Sequence, residues 1–291
     1  MCIRDRSSRS LIRCNSEYGT TFFMTGKTKK IRVESICHSV DQKEGSLAVL
    51  QNIDFYAEEG EIVSILGPSG CGKSTFLNMV SGLYDPNEGT ILVDEVVTEA
   101  KDRIGRIGYM QQKDMLLPWR TVLDNVVIGL EIKGVSRNSA RNMAISRLDE
   151  FGLAGFENQY PFVLSGGMRQ RAAFLRTMLM DSSVVLLDEP FSSLDSINRM
   201  HLQSWLLELL NRYSFSGRNS KTVILVTHDV EEALFLSDRI YVMSSRPGQI
   251  TLVESVDFGR KIITEMVNDP SFVQMKSRLT SYLIDEQVGK L

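Results

Sequence analysis

A short apolar, β-rich run at Ile62 to Leu66 feeds directly into Gly67-Pro68-Ser69-Gly70-Cys71-Gly72-Lys73-Ser74-Thr75, and behind it Phe76, Leu77, Val80 and Leu83 recur at helical spacing. Few folds accommodate a buried strand, a glycine-rich loop and a helix in such immediate succession. Glycines let consecutive backbone N–H groups turn inward and form a concave anion cradle. The positive end of the following helix adds to the same field. The spacing matches the phosphate-binding P-loop pattern in full, so Lys73 is expected to reach the β- and γ-phosphates of a nucleotide and the Ser74 hydroxyl to ligate Mg²⁺. Cys71 occupies a free position of the pattern and reads as a small filler, although a helix N-terminus can lower a thiol pKa.

A second apolar run, Val184 to Leu187, ends in two adjacent carboxylates, Asp188 and Glu189. Parallel strands deliver their C-terminal ends to the side where the phosphate loop sits. Asp188 is therefore expected to hold Mg²⁺ through its water shell, and Glu189 to polarise an attacking water as general base. On its own the pair reads equally well as a solvated acidic turn; the upstream loop gives it a role.

Ile31, Val33 and Ile36, then Val49 to Phe55, read as strands around a polar turn at Gln42 to Ser46. Asp85 to Gly89 reads as a turn before a strand at Thr90 to Val93, and the stretch from about Asp114 to Tyr160 is mostly helical, with no strong strand. Val223 to Val226 is another buried strand, and Leu202, Leu206, Leu209 and Leu210 mark the helix before it. Ile240 to Met243 and Ile250 to Val256 read as closing strands. Asp269-Pro270 reads as an N-cap and first turn, opening a last helix with Phe272, Met275, Leu279 and Tyr282 on one face.

Composition removes several alternatives. A formal net charge of −3 over 291 residues gives no broad basic surface, so nucleic acid is not an expected partner. No apolar run approaches the roughly 20 residues that cross a bilayer, so any membrane role must come through another chain. The four cysteines form no metal-like spacing, which fits a reduced, cytoplasmic protein. The Arg- and Ser-rich first 24 residues superficially resemble a transit peptide. Met-Cys-Ile-Arg-Asp-Arg also resembles a translated sequencing-adapter end, and the segment is expected to be non-native or disordered, with Met24 as the true start.

Leu164-Ser165-Gly166-Gly167-Met168-Arg169-Gln170-Arg171 separates this chain from other P-loop proteins. Ser165, Gly166 and Gly167 open a helix whose inner face is Met168, Ala172, Leu175 and Leu179, which makes a second helix N-terminus with a hydroxyl and bare backbone. Here the chain resembles the ABC ATPases, whose signature motif reads LSGG followed by Gln and Arg. The resemblance runs from about Ile31 to Asp285. It implies an α/β fold: a P-loop NTPase (RecA-like) core with an antiparallel β subdomain and an inserted helical subdomain at about 113–165, within an ATPase domain at 25–258, followed by a short helical extension at 259–291. It implies ATP and Mg²⁺ as cofactors, and a homodimer in which Ser165, Gly166 and Gly167 of one subunit cap ATP held by Gly67 to Thr75 of the other. Gln112 fits the family's Q-loop glutamine, touching metal and attacking water. Gln111 is the other candidate, but the distance to Leu116-Leu117-Pro118-Trp119 favours Gln112. Ser193-Leu194-Asp195 fits the D-loop, and His228 the switch histidine that contacts the γ-phosphate. His38 and His201 match nothing and read as plain surface residues. Where many members stack an aromatic on adenine, this chain offers Val40, which has no π-face.

Leu116 to Val126, Arg246 to Ile250 and the Asp269-Pro270 helix resemble the nitrate/sulfonate/taurine importer branch, which includes ATPases serving vitamin-precursor uptake. The branch implies integral-membrane permease subunits, an extracytoplasmic solute-binding protein acting indirectly, and a peripheral location on the cytoplasmic face of the cell membrane. Leu116, Leu117 and Trp119 either form an exposed socket for a permease helix or pack inside the helical lobe. A soluble ABC protein of DNA repair or translation is the rival reading, but no second cassette, coiled-coil insertion or basic arm is visible. A purely regulatory ATP-binding module would be favoured if Glu189 or His228 were missing; both are present.

Overall fold

The computed structural model describes residues 28–42, 45–192, 194–214, 220–257 and 263–288. The expectation for the first 24 residues, and Ser193, lie outside them. In chain order the strands are β1 (Lys29–Gln42), β2 (Gly45–Glu58), β3 (Ile62–Leu66), β4 (Glu88–Val93), β5 (Val96–Val97), β6 (Gly108–Met110), β7 (Val184–Asp188), β8 (Thr222–Thr227), β9 (Arg239–Met243) and β10 (Ile250–Ser255). The helices are α1 (Lys73–Ser81), α2 (Ala100–Arg103), α3 (Val122–Val126), α4 (Ile128–Ile132), α5 (Arg137–Leu148), α6 (Gly166–Leu179), α7 (Ser196–Ser214), α8 (Val230–Leu236), α9 (Ile263–Met266) and α10 (Pro270–Val288).

Two sheets form. The first is antiparallel, in the order β2-β1-β4-β5; the second runs β10-β9-β3-β8-β7-β6, parallel throughout except for the edge strand β10. Strands β3, β7 and β8 are buried at every position, as expected of a parallel sheet covered on both faces. The period-2 alternation divides their side chains between two cores. Val63, Ile65, Val184, Leu186, Ile224 and Val226 pack with Phe76 and Leu77 of α1 and with Ile31, Ile53 and Phe55 of the antiparallel sheet. Ile62, Leu66, Val185, Leu187, Val223 and Leu225 pack with α3, α5, α6, α7 and α8. Each such side chain contributes roughly 1.5–3 kcal/mol by leaving water. Ser64 is polar inside β3 and is satisfied by the Ser237 hydroxyl.

Helices α3, α4 and α5 form the expected helical lobe, resting on α6 through Val122, Val126, Leu130, Ala140 and Ala144. The expected turn at Asp85 to Gly89 is shorter than read, because β4 already begins at Glu88. α10 docks on α8 through the stacked rings of Phe272 and Phe235, 5.1 Å apart, and Asp269 caps it by accepting from the Ser271 N–H at 2.9 Å.

Candidate active site

Four neighbouring parallel strands, β3, β8, β7 and β6, end on the same side of the sheet. Their C-terminal ends present the Gly67 loop, His228, the Asp188-Glu189 pair and the Gln112 segment respectively. The loop closes tightly on its own chain. Gly72 sits at φ +118, and a Cβ there would fall 2.7 Å from Leu50 Cδ2; at Gly67 a Cβ would fall 2.7 Å from the Met243 carbonyl oxygen. Gly72 is the N-cap of α1 and supplies no side-chain cap, so the first N–H groups of the helix are left to face the loop. Lys73 is 4% exposed, and its ammonium donates to the Gly67 and Pro68 carbonyls, both at 2.8 Å. Arg246 Nη2 donates to the Gly70 carbonyl at 2.8 Å. Cys71 is buried, which pushes its thiol pKa up, against the activation a helix N-terminus would provide.

Asp188 is held from two sides. The Ser74 hydroxyl donates to Oδ1 at 3.1 Å, and the Tyr109 phenol donates to Oδ2 at 3.2 Å. Burial raises the Asp188 pKa against the opposing effect of these two donors. Burial and the Asp188 charge push the Tyr109 phenol upward as well, keeping it a donor. Tyr109 lies on a three-residue strand, too short for any sequence periodicity to single it out.

Glu189 adopts φ +43, a conformation rare for a non-glycine residue and common where a site imposes it. Its own N–H is fixed to the Val226 carbonyl at 2.9 Å, across to the strand that carries His228. Its side chain gathers three candidates: Gln112 Nε2 donates to Oε2 at 3.2 Å, His228 Nδ1 lies 3.2 Å from Oε2, and Lys73 Nζ lies 3.7 Å from Oε1. Of the two glutamines, Gln112 is the one whose side chain bonds Glu189 among the described residues. The Ser74 hydroxyl and Asp188 carboxylate are adjacent hard oxygens, which fits a small divalent cation that keeps several waters and few protein ligands. Beside them, the Glu189 carboxylate is placed to accept a proton from water.

Ser165, Gly166 and Gly167 stand apart from this cluster. Ser165 caps α6, its Oγ accepting from the Met168 N–H at 3.3 Å. A Cβ at Gly167 would meet nothing within 4 Å, and one at Gly166 would meet Leu194 Cδ2 at 3.3 Å. Among the described residues no hydrogen bond joins these three to Gly67–Thr75. Asp195 is likewise outside the cluster: its carboxylate caps α7, accepting from Asn198 N at 3.0 Å and Asn198 Nδ2 at 2.6 Å, and these bonds lower its pKa. Val40 is exposed near the β1–β2 turn, opposite Leu47. His38 is not the plain surface residue expected; it is half-buried and stacks on Tyr84 at 5.4 Å.

The three apolar residues divide between the two alternatives. Leu116 packs in the core, Leu117 is half-buried, and only Trp119, 71% exposed, is displayed. Asn125 arranges this. Fully buried, it accepts from Leu117 N at 2.7 Å and donates toward the carbonyls of Leu117, Arg120 and Thr121 at 3.0–3.1 Å.

The sheet order and the loop at its C-terminal edge define a P-loop nucleotide-binding cassette with an inserted helical lobe. The family described as ABC transporter matches residues 50–192. The chain is 41% identical to the formylaminopyrimidine import ATP-binding protein of Halalkalibacterium halodurans, covering 84% of this chain and 93% of that protein. It is 41% identical to an aliphatic sulfonates import ATP-binding protein of Bacillus thuringiensis, over 76% of this chain and 83% of that one. A solved ATP-binding cassette, described as a dimeric post-hydrolysis state bound to ADP and Pi, superposes with a TM-score of 0.68 at 31% identity, covering 79% of this chain and 100% of that one. The chain belongs to the ABC transporter family, among its ATP-binding, ATP-hydrolysing proteins. Among the described residues no helix is long and apolar enough to cross a membrane.

Proposed function

We propose that this chain is the ATP-hydrolysing subunit of an import system, working as a head-to-tail homodimer beneath integral-membrane permease subunits on the cytoplasmic face of the cell membrane. The observation that carries the reading is the open start of α6. Gly166 and Gly167 open the first turn of α6, yet neither has a positive φ and nothing in this chain lies within 4 Å of where a Gly167 Cβ would sit. Bare backbone at Gly167, where no neighbour in this chain requires it, fits an anion brought by another subunit. In this reading the Gly67–Thr75 loop and Lys73 hold the phosphates, and Val40 makes an apolar contact with the base. Ser74 and Asp188, with Gln112 nearby, hold Mg²⁺, which supplies charge neutralisation on the phosphate oxygens. Glu189 takes the proton of the attacking water, with His228 and Gln112 orienting it. Asp195 takes part across the subunit boundary. An extracytoplasmic solute-binding protein would deliver the solute, in the class of sulfonates, taurine, nitrate or a vitamin precursor, since relatives are named for aliphatic sulfonates and formylaminopyrimidine.

Mixing two damaged chains tests the shared site. Gly166→Asp places a carboxylate where the partner's γ-phosphate would approach, and like charges in a partly dry interface repel. Lys73→Ala damages the P-loop and leaves the α6 start intact. Each variant alone should fail to form ATP-dependent dimers. Together they should form a heterodimer, because one of its two sites combines an intact Lys73 with an intact Gly166. Loss of ATP binding by the isolated Gly166→Asp monomer would mean that the motif acts within one chain, and the head-to-tail dimer would be wrong.

A further inference from the structure

Arg199, in the first turn of α7, is used by nothing in the scheme above, yet it touches both segments that flank the catalytic cluster. Its Nη2 donates to the Leu194 carbonyl at 3.2 Å, and its Nη1 lies 3.5 Å from Asp229 Oδ2. Leu194 is 8% exposed and its side chain is the neighbour a Gly166 Cβ would meet, so the residue whose carbonyl Arg199 holds also packs against the start of α6. On the other side Asp229 directly follows His228. Its Oδ1 caps α8 by accepting from Glu231 N at 2.9 Å and Glu232 N at 3.3 Å, which leaves Oδ2 facing the guanidinium.

The turn around His228 is closed from the remaining side by Thr227 and Glu232. The Thr227 hydroxyl accepts from Asp229 N at 3.0 Å and donates to Glu232 Oε2 at 2.7 Å. Glu232 is buried, which lifts its pKa to about 8, with the Arg199 charge acting in the opposite direction. Arg199 Nε and Glu232 Oε1 are both buried without a hydrogen-bond partner, so the guanidinium is held at this place although one of its N–H groups goes unused. The contacts form an unbroken sequence: Gly166, Leu194, Arg199, Asp229, His228, Glu189.

We propose that Arg199 is a positioning residue for ATP hydrolysis, locking the Leu194–Asp195 segment to the His228 turn so that the seating of the α6 start sets the position of His228 against Glu189. This rests on the head-to-tail reading. There the α6 start senses the partner's nucleotide while His228 serves the chain's own, and Arg199 then links the two nucleotide sites of one dimer. The coupling is mechanical: a guanidinium bonded to both segments makes them move as one body.

The test uses the full chain, with Arg199→Gln and Asp229→Asn singly and combined. Asn keeps the α8 cap, because its side-chain oxygen accepts the same N–H bonds. Each single variant should lower kcat by about ten-fold, the scale of one contact in a coupled network. KM for ATP, ATP binding by the monomer and the melting temperature should stay near wild type. The double variant should fall no further than the worse single one, because both remove the same link. A multiplicative fall in the double variant overturns the proposal, as does wild-type kcat in Arg199→Gln, or a kcat loss matched by equal losses in ATP affinity and melting temperature. If the wild-type chain itself neither dimerises with ATP nor hydrolyses it, the proposed function fails first. Wild-type turnover and dimerisation with an indifferent Arg199 overturn this inference alone.

Discussion

The two glycine-bearing helix starts of this cassette are built in opposite ways. At α1 the preceding loop is enclosed by its own chain: Leu50 and Met243 crowd Gly72 and Gly67, the Lys73 ammonium is buried, and Arg246 braces the Gly70 carbonyl. At α6 a serine cap suffices; Gly166 lies beside Leu194, and Gly167 looks into open space. The first site needs glycine because the fold leaves no room for anything else. The second has room at Gly167 and keeps glycine there, which is the contrast that the proposed dimer would explain. In that reading, crowding separates residues that make the cassette fold from residues that would make two cassettes meet.

The contrast can be broken most severely at Glu189. Glu189→Gln should lower turnover by roughly 10²–10⁴-fold, the usual contribution of a general base, while ATP-dependent dimers persist and are seen by size exclusion. Near-normal phosphate release would place the base elsewhere and separate the two helix starts from the chemistry. Gly72→Ala comes next. The strain of φ +118 and the Leu50 contact should cost about 1–3 kcal/mol, visible as a melting temperature lowered by several degrees and as lost ATP binding. Gly167→Ala should do the reverse to the monomer, leaving its stability unchanged or raising it by up to about 1 kcal/mol, while ATP-dependent dimerisation weakens. A Gly167→Ala chain that dimerises normally would remove the contrast. The smallest effect is expected at Val40, where Tyr should tighten ATP by roughly 0.5–1.5 kcal/mol through one aromatic contact, read by nucleotide titration. No change there would mean that the base does not rest on β1.

The strand–loop–helix at Ile62 to Ser81 was legible because every signal in it is local: an apolar run, fixed glycine spacing and a helical period. Strand β3 has the bounds read from the sequence, and Asp188 with Glu189 falls at the expected strand end. What escaped was set by distant neighbours. β6 is three residues long and exists because β7 pairs with it, so no periodicity could reveal it or the Tyr109 phenol that holds Asp188. Leu116 and Trp119 lie three positions apart and look equally apolar in the sequence. The fold buries one and displays the other, and that choice is made by Asn125, whose amide reads as an ordinary polar residue until its four backbone bonds are seen. Arg199 is illegible in the sequence for the same reason, since its partners lie five residues behind it and thirty ahead.

Asn125 would also shape the thermodynamics of any partner that seats against Trp119. A surface loop normally gives up conformational entropy when a partner docks, and that loss is subtracted from affinity. Here Leu117 to Thr121 is already immobilised by a buried amide, so the loss has been taken at folding. Calorimetry of association at this face should then show a heat-capacity change no larger than rigid burial of the touching surfaces requires, without the extra increment of coupled folding. Such a face would discriminate among partners by shape, since a surface held this way would not adjust to the wrong contour.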